Sequence, residues 1–252
     1  MKFTFEERLS DSPLIEKVWR TQSEDSGTFM DQAEIRSEIV VMKYKGKTNV
    51  TVRGPATKAR MVDFLWAGAE IFVIVFKPGT FIPHLPPTNL RDHNNLELPE
   101  ASGRSFWLYG SAWEVPNYEN ADTFVRRLVH EGLLVHNPVV DAVQQGHTQT
   151  LSTRSVQYHF LQATGITHKT LQQIDRAHRA ATLLAQGTSI LDVVSEAGYF
   201  DQPHLTRSLK HFLGQTPAQI IRANLPDYIS GDRFVNLTLL EAAWLSRKTS
   251  TG

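Results

Sequence analysis

The chain has 252 residues, enough for two domains or one large one. Its 26 Lys and Arg balance its 26 Asp and Glu, which argues against indiscriminate attraction to nucleic acid. It has no cysteine, so disulfides and cysteine-ligated zinc are excluded.

No apolar run approaches the roughly 18 residues of a membrane span. Met1 to Ser10 alternates charged and apolar residues, without the apolar core of a signal peptide. The expectation is a cytoplasmic protein with no membrane partner.

In the N-terminal half, Ser37 to Met42 and Thr48 to Arg53 read as strands joined by the polar turn Lys45-Gly46-Lys47. Gly54-Pro55 interrupts the chain. Lys58 to Leu65 and Glu70 to Phe76 are further strands, with Ala67-Gly68 between them. Ile71 to Phe76 is almost wholly β-branched or aromatic, as a buried strand requires. Pro78-Gly79 suits the centre of a type II turn. A helix over Asn120 to His130 closes this half. Short strands with turn punctuation imply a β-sandwich or barrel.

An aromatic set in this half includes Trp66, Phe76, Phe81 and Trp107, and aromatic rings line small-molecule pockets as well as cores. If a ligand pocket exists, these four side chains are its candidates, between the strands and loop 78–95. His84 and His93 lie in that loop, and with a carboxylate such as Glu97 they could ligate iron or zinc. A metal-binding barrel offers closely spaced histidines on strands, which this sequence lacks. The expectation is therefore no metal, no other cofactor and no enzyme activity.

The C-terminal half carries helix punctuation. Pro138 to Gln145 is a short helix. Ser152 can cap the next, with Val156 and Phe160 inward and Gly165 at its end. Thr167 to Gln186 is one long helix with Leu171, Ile174, Ala177, Ala181 and Leu184 on one side. Ser189 caps a short helix with Val193, Val194 and Ala197 inward, and Gly198 follows its end. Tyr199 and Phe200 are expected to fill the gap before the next helix. Asp201 caps that helix, and Pro203 fits only its first turn. Leu205, Leu209 and Phe212 form its buried stripe, Gly214 ends it, and Thr216-Pro217 starts another helix. Val156 to Gly165 repeats the spacing of Leu205 to Gly214, 49 residues later.

Two short helices around a tight turn can place the second in a DNA major groove. Gln202, His204, Thr206, Arg207 and Lys210 lie off the buried stripe, where Gln can pair with adenine and Arg with guanine. In the upstream copy Thr153, Arg154, Gln157 and Tyr158 hold comparable places.

The segment from about Pro138 to Ala223 resembles the double helix-turn-helix domain of the AraC family of bacterial transcription regulators. The likeness rests on Ile190, Val193, Val194, Ala197-Gly198-Tyr199-Phe200-Asp201-Gln202, His204-Leu205, Arg207, Phe212, Gly214, Thr216 and Pro217. The apolar strand ending in Phe76-Lys77-Pro78-Gly79 is similar to an N-terminal domain of one branch of that family. The resemblance implies an α+β protein. A β-rich, cupin-like barrel or sandwich over 1–132 would sense a small molecule or mediate pairing. An all-α DNA-binding domain would cover 133–224. The resemblance implies double-stranded DNA as a partner, an effector of unspecified identity, and a homodimer. Beyond the family domain lies an extension over 225–252, in which 238–247 reads as a helix with Leu239, Leu240, Ala243 and Trp244 on one side. Tyr158 stands where the family places a basic residue, so the first motif is expected to supply phosphate contacts. From His147 to Ala223 seven cations oppose four anions, a small electrostatic footprint. Two other readings stay open here. One is a cupin-type metalloenzyme with an attached DNA-binding domain, and the other a protein-interaction module that no longer binds DNA.

Overall fold

The computed structural model describes residues 3–92, 96–147 and 151–223. The strands in chain order are β1 (Phe3–Arg8), β2 (Ile15–Ser23), β3 (Gly27–Asp31), β4 (Glu38–Tyr44), β5 (Lys47–Arg53), β6 (Arg60–Phe64) and β7 (Glu70–Phe76). There follow β8 (Thr80–Phe81), β9 (Leu96–Leu98), β10 (Glu100–Ser102), β11 (Ser105–Leu108), β12 (Ser111–Glu114) and β13 (Val135–His136). The helices are α1 (Pro87–Leu90), α2 (Ala121–His130), α3 (Pro138–Gln144), α4 (Thr153–Thr164), α5 (His168–Ala185), α6 (Ile190–Glu196), α7 (Gln202–Leu213) and α8 (Pro217–Ala223). The molecule is α+β, with a β-rich N-terminal region and a helical C-terminal region.

The largest sheet is antiparallel, in the order β1-β2-β7-β4-β5-β9. It is open rather than closed into a hydrogen-bonded barrel. The β4–β5 hairpin is set by Lys45 and Gly46, both at positive φ (47° and 78°), the geometry that matches strand twist. At the end of β7 the Thr80 N–H donates to the Lys77 carbonyl at 3.0 Å across Pro78 and Gly79 (φ 86°), the type II turn expected there.

Period-two alternation gives this sheet two unlike faces. One face carries Val18, Ile39, Val41, Phe72, Ile74 and Phe76. It packs against Phe106, Leu108 and Trp113 of the small β10–β12 sheet and against Phe124, Val125 and Leu128 of α2. The other face carries Lys17, Trp19 and Thr21 from β2, Glu38, Val40 and Met42 from β4, and Arg53 from β5. The two-stranded ribbon of β3 and β6 lies across it. Strands β1 to β3 lie in a stretch for which no element was expected from the sequence.

A second core belongs to the helices, built on Phe160, Ile166, Leu171, Ile174, Leu205, Leu209 and Ile220. The first core runs as far as Leu134 and the second takes over by Val140. Ala33 and Ile35, from the loop after β3, sit in the helical core, so the two halves share packing. The proposed helix at 238–247 and the extension that holds it lie outside the described residues.

Candidate nucleic-acid interface

The helix caps follow the sequence closely. Ser152 accepts from the Ser155 N–H at 3.2 Å, Ser189 from Asp192 at 3.2 Å and Asp201 from His204 at 2.7 Å. Each satisfies one donor that a helix start leaves free, and such a cap contributes about 1 kcal/mol. Thr216 and Gln219 form a reciprocal box: Thr216 Oγ1 accepts from the Gln219 N–H, and Gln219 Oε1 from the Thr216 N–H. Gly165 (φ 73°) and Gly214 (φ 74°) close α4 and α7 in the left-handed conformation.

These caps produce two matching units. In the first, α3 packs on α4; in the second, α6 packs on α7. The 18-residue α5 runs between them and packs on α7 and α8. At 1.5 Å per residue it spans about 27 Å, most of the 34 Å between successive major grooves on one DNA face.

Within the second unit, Tyr199 turns inward. Its hydroxyl meets Ser208 Oγ at 3.0 Å, and Arg176 lies over its ring at 5.7 Å. Burial pushes its phenol up from the ordinary tyrosine range, against the hydrogen bond from Ser208. Phe200 does not share this role. It is 90% exposed, because Tyr199 alone fills the space between α6 and α7.

Gln202, Arg207 and Lys210 are exposed on α7, and Thr206 is half-buried. His204 is held locally: its Nδ1 accepts from the Phe200 N–H at 3.4 Å, and its ring stands edge-on to Tyr199. On α4, Thr153, Arg154, Gln157 and Tyr158 are all exposed.

The opposite ends of α4 and α7 are gripped by the N-terminal region. Ala33 N–H donates to the Phe212 carbonyl and Ala59 N–H to the His211 carbonyl, both at 2.8 Å. Gln32 Nε2 donates to the Leu213 carbonyl at 3.3 Å. These three donors satisfy carbonyls that a helix C-terminus leaves unpaired. At α4, Arg91 donates to the Gly165 carbonyl at 3.3 Å. A Cβ on Gly165 would come within 2.8 Å of the Pro87 carbonyl, so α1 lies directly on that helix end. The sequence carried no signal for these contacts, which depend on residues more than 70 positions apart.

Between the β3–β6 ribbon and the facing sheet lies a cavity of about 490 Å³. Its apolar end is formed by Trp19, Phe29, Met42, Val62, Phe64 and Trp66. Its other end is ionic. Asp31 pairs with Arg53 (2.8 Å) and Arg60 (3.0 Å), Arg53 with Glu38 (3.3 Å), and Arg36 with Glu34 and Glu16. Burial pushes the Glu38 carboxyl up despite Arg53 beside it. At the half-buried Glu34 burial acts in the same direction, yet Arg36 holds the carboxyl below the usual range.

Of the four aromatic ligand candidates, the structure brings only Trp66 to this cavity. Phe76 lies in the core on the far face of the sheet, Phe81 packs against the helical core, and Trp107 is exposed. His84 stacks on Tyr109, and His93 lies outside the described residues. Among the described residues no group of three or more His, Asp or Glu side chains is placed to hold a metal ion. No helix among them is long and apolar enough to cross a membrane.

Two helix-turn-helix units on one spacer helix are the architecture of a DNA-binding transcription regulator. Residues 149–223 match the model of a helix-turn-helix domain family, and this segment is an AraC-type helix-turn-helix domain. No curated protein matches the chain. A solved structure of ToxT from Vibrio cholerae is similar at 12% identity, covering 86% of this chain and 97% of that one, with a TM-score of 0.36. At that level of likeness nothing about this chain follows from it.

Proposed function

We propose that this regulator reads DNA with the first turns of α7 and α4, and that the N-terminal region sets how those helices are presented. The carrying observation is the grip on the C-terminal ends of both helices by the N-terminal region. It leaves their N-terminal turns free, and recognition helices read base edges near the N-terminus. Gln202 and Arg207 have side chains suited to bidentate pairing with adenine and guanine, and Thr206 to a single base contact. Lys210, a turn further on, suits a phosphate. Thr153, Arg154, Gln157 and Tyr158 take the corresponding places in the first motif, with more weight on backbone positioning. The small charge excess favours binding as a pair of subunits.

The same proposal makes the cavity under the β3–β6 ribbon the effector site. Its size falls in the range of small-molecule pockets, and it joins an apolar end to an ionic one. Met30 and Gln32, next to its ionic end, also touch Gly214 and Leu213 at the end of α7. A ligand that moved the ribbon would therefore move the recognition helix.

Selection of binding sites from random DNA with the full chain, followed by footprinting, tests the DNA assignment. The expected footprint covers two successive major grooves on one face; failure to enrich any sequence overturns it. Thermal melting in a small-molecule library tests the effector site. Val40→Trp, which fills the cavity, should abolish the shift given by a true effector. Hits that act equally on the variant would place the site elsewhere.

A further inference from the structure

Leu151 and Phe200 hold the same place in the two motifs. Each stands immediately before the N-cap of its helix, Ser152 or Asp201, and they are 49 residues apart, the period of the repeat itself. An apolar residue at this position ordinarily packs back on the fourth helical residue and fixes the entry of the chain. In the second motif that fourth residue, Leu205, is fully buried and Tyr199 turns inward, while Phe200 is 90% exposed. In the first motif the fourth residue is Val156, and Leu151 is 43% exposed. Both motifs leave the apolar residue at this place exposed, Phe200 almost fully. Such departures from local packing mark function where the rest of the motif is locally consistent.

Phe200 is not exposed through a loose backbone. The Phe200 N–H is bonded to His204, the His204 ring abuts Tyr199, and Asp201 caps α7. Ser152 caps α4 in the same way. The two projecting residues stand at the free ends of helices whose other ends are held by the N-terminal region.

We propose that Phe200 and Leu151 each contact the 5-methyl group of a thymine, one in each of two successive major grooves. This rests on the reading that the first turns of α4 and α7 face DNA. The thymine methyl is the apolar group that a base edge presents in the major groove, and apolar side chains are its natural partners. The neighbouring Asp201 and Ser152 use their side chains to cap the helices. The position before each cap therefore adds an apolar contact to the polar ones that follow it. The recognised site then holds two thymines about one helical turn apart.

The test uses the site selected from random DNA, with each thymine replaced in turn by deoxyuridine, which removes only the methyl group. The wild-type chain should lose affinity roughly fourfold at one thymine per motif, the value of one buried methyl or methylene group. Phe200→Ala should bind more weakly and be indifferent to uracil at the first of these positions. Leu151→Ala should be indifferent at the other, about ten base pairs away. Both side chains are exposed, and unchanged melting temperatures would show that the variants fold. Equal binding to all uracil-substituted sites, or undiminished uracil sensitivity in both variants, would overturn the inference. If a site is selected and this pattern is absent, DNA reading stands and the methyl contact falls. If no site can be selected, both fall together.

Discussion

Met30 lies directly against Gly214: a Cβ built on that glycine would overlap the Met30 thioether. Gly214 also sits at φ 74°, so this one residue is both the left-handed end of α7 and the seat of the β3 ribbon. Gly198 (φ 70°) ends α6 in the same conformation, but nothing lies within 4 Å of a Cβ there. Gly198→Ala should therefore cost only the backbone penalty, about 1–2 kcal/mol. Gly214→Ala should cost more, and Met30→Ala should recover the excess. A double-mutant cycle by thermal or urea melting checks this; full additivity would mean that the contact carries no energy.

The hydrogen bond from Ala59 to the His211 carbonyl supplies a second handle on the docking of the two halves. Ala59→Pro removes that donor and leaves a carbonyl at the end of α7 without its partner, at a cost of roughly 1–3 kcal/mol. Amide exchange should accelerate in α7 and β6 while the core of the six-stranded sheet stays protected. Uniform acceleration across the whole chain would show that the docking is not a separable unit.

On the DNA side, Arg207 and Lys210 should separate base reading from phosphate contact. Arg207→Ala is expected to cost about 1–3 kcal/mol and to relax specificity at one base position. Lys210→Ala should weaken all sequences alike and reduce the salt slope by roughly one. Binding of selected and randomised sites across a salt series distinguishes them; a base-specific loss for Lys210→Ala would reassign that residue.

The ionic end of the cavity predicts a pH signature. Burial raises the Glu38 carboxyl above its ordinary value of 4.5, so the folded chain takes up this proton more readily than the unfolded one. Its contribution is therefore fully present below about pH 4.5 and is lost as pH rises through the raised value. Glu38→Gln does not titrate. The melting temperature of the wild type relative to this variant should fall as pH rises from 4 towards neutrality. Glu34, held below the usual range by Arg36, works in the opposite sense: its contribution is lost as pH falls through its lowered value. A difference between wild type and Glu38→Gln that stays flat with pH would contradict the burial of an ionisable group at this position.

The helical half was legible because its signals are local. Ser152, Ser189, Asp201 and Thr216 bond to groups three residues away, Gly165 and Gly214 meet a backbone requirement of their own, and Pro203 fits only a first helical turn. The β4–β5 hairpin and the Pro78-Gly79 turn were legible for the same reason. Phe200 was assigned to the packed gap on hydrophobicity alone. Two neighbouring aromatics competed for one space, and only packing shows that Tyr199 takes it.

The cavity was not legible, because Lys17, Glu38 and Arg53 alternate with apolar residues as if on a solvated face. That face is enclosed by a ribbon whose strands, β3 and β6, are separated in sequence by two strands of the sheet it covers. The amino-acid sequence by itself determined where helices begin and end, and which segment can meet DNA, since caps, turns and periodicity act over a few residues. Tertiary structure alone decided which sheet face stays hollow, which aromatic is left in solvent, and that Met30 rests on the end of the recognition helix. Those outcomes come from contacts between segments far apart in the chain, and no local pattern encodes them.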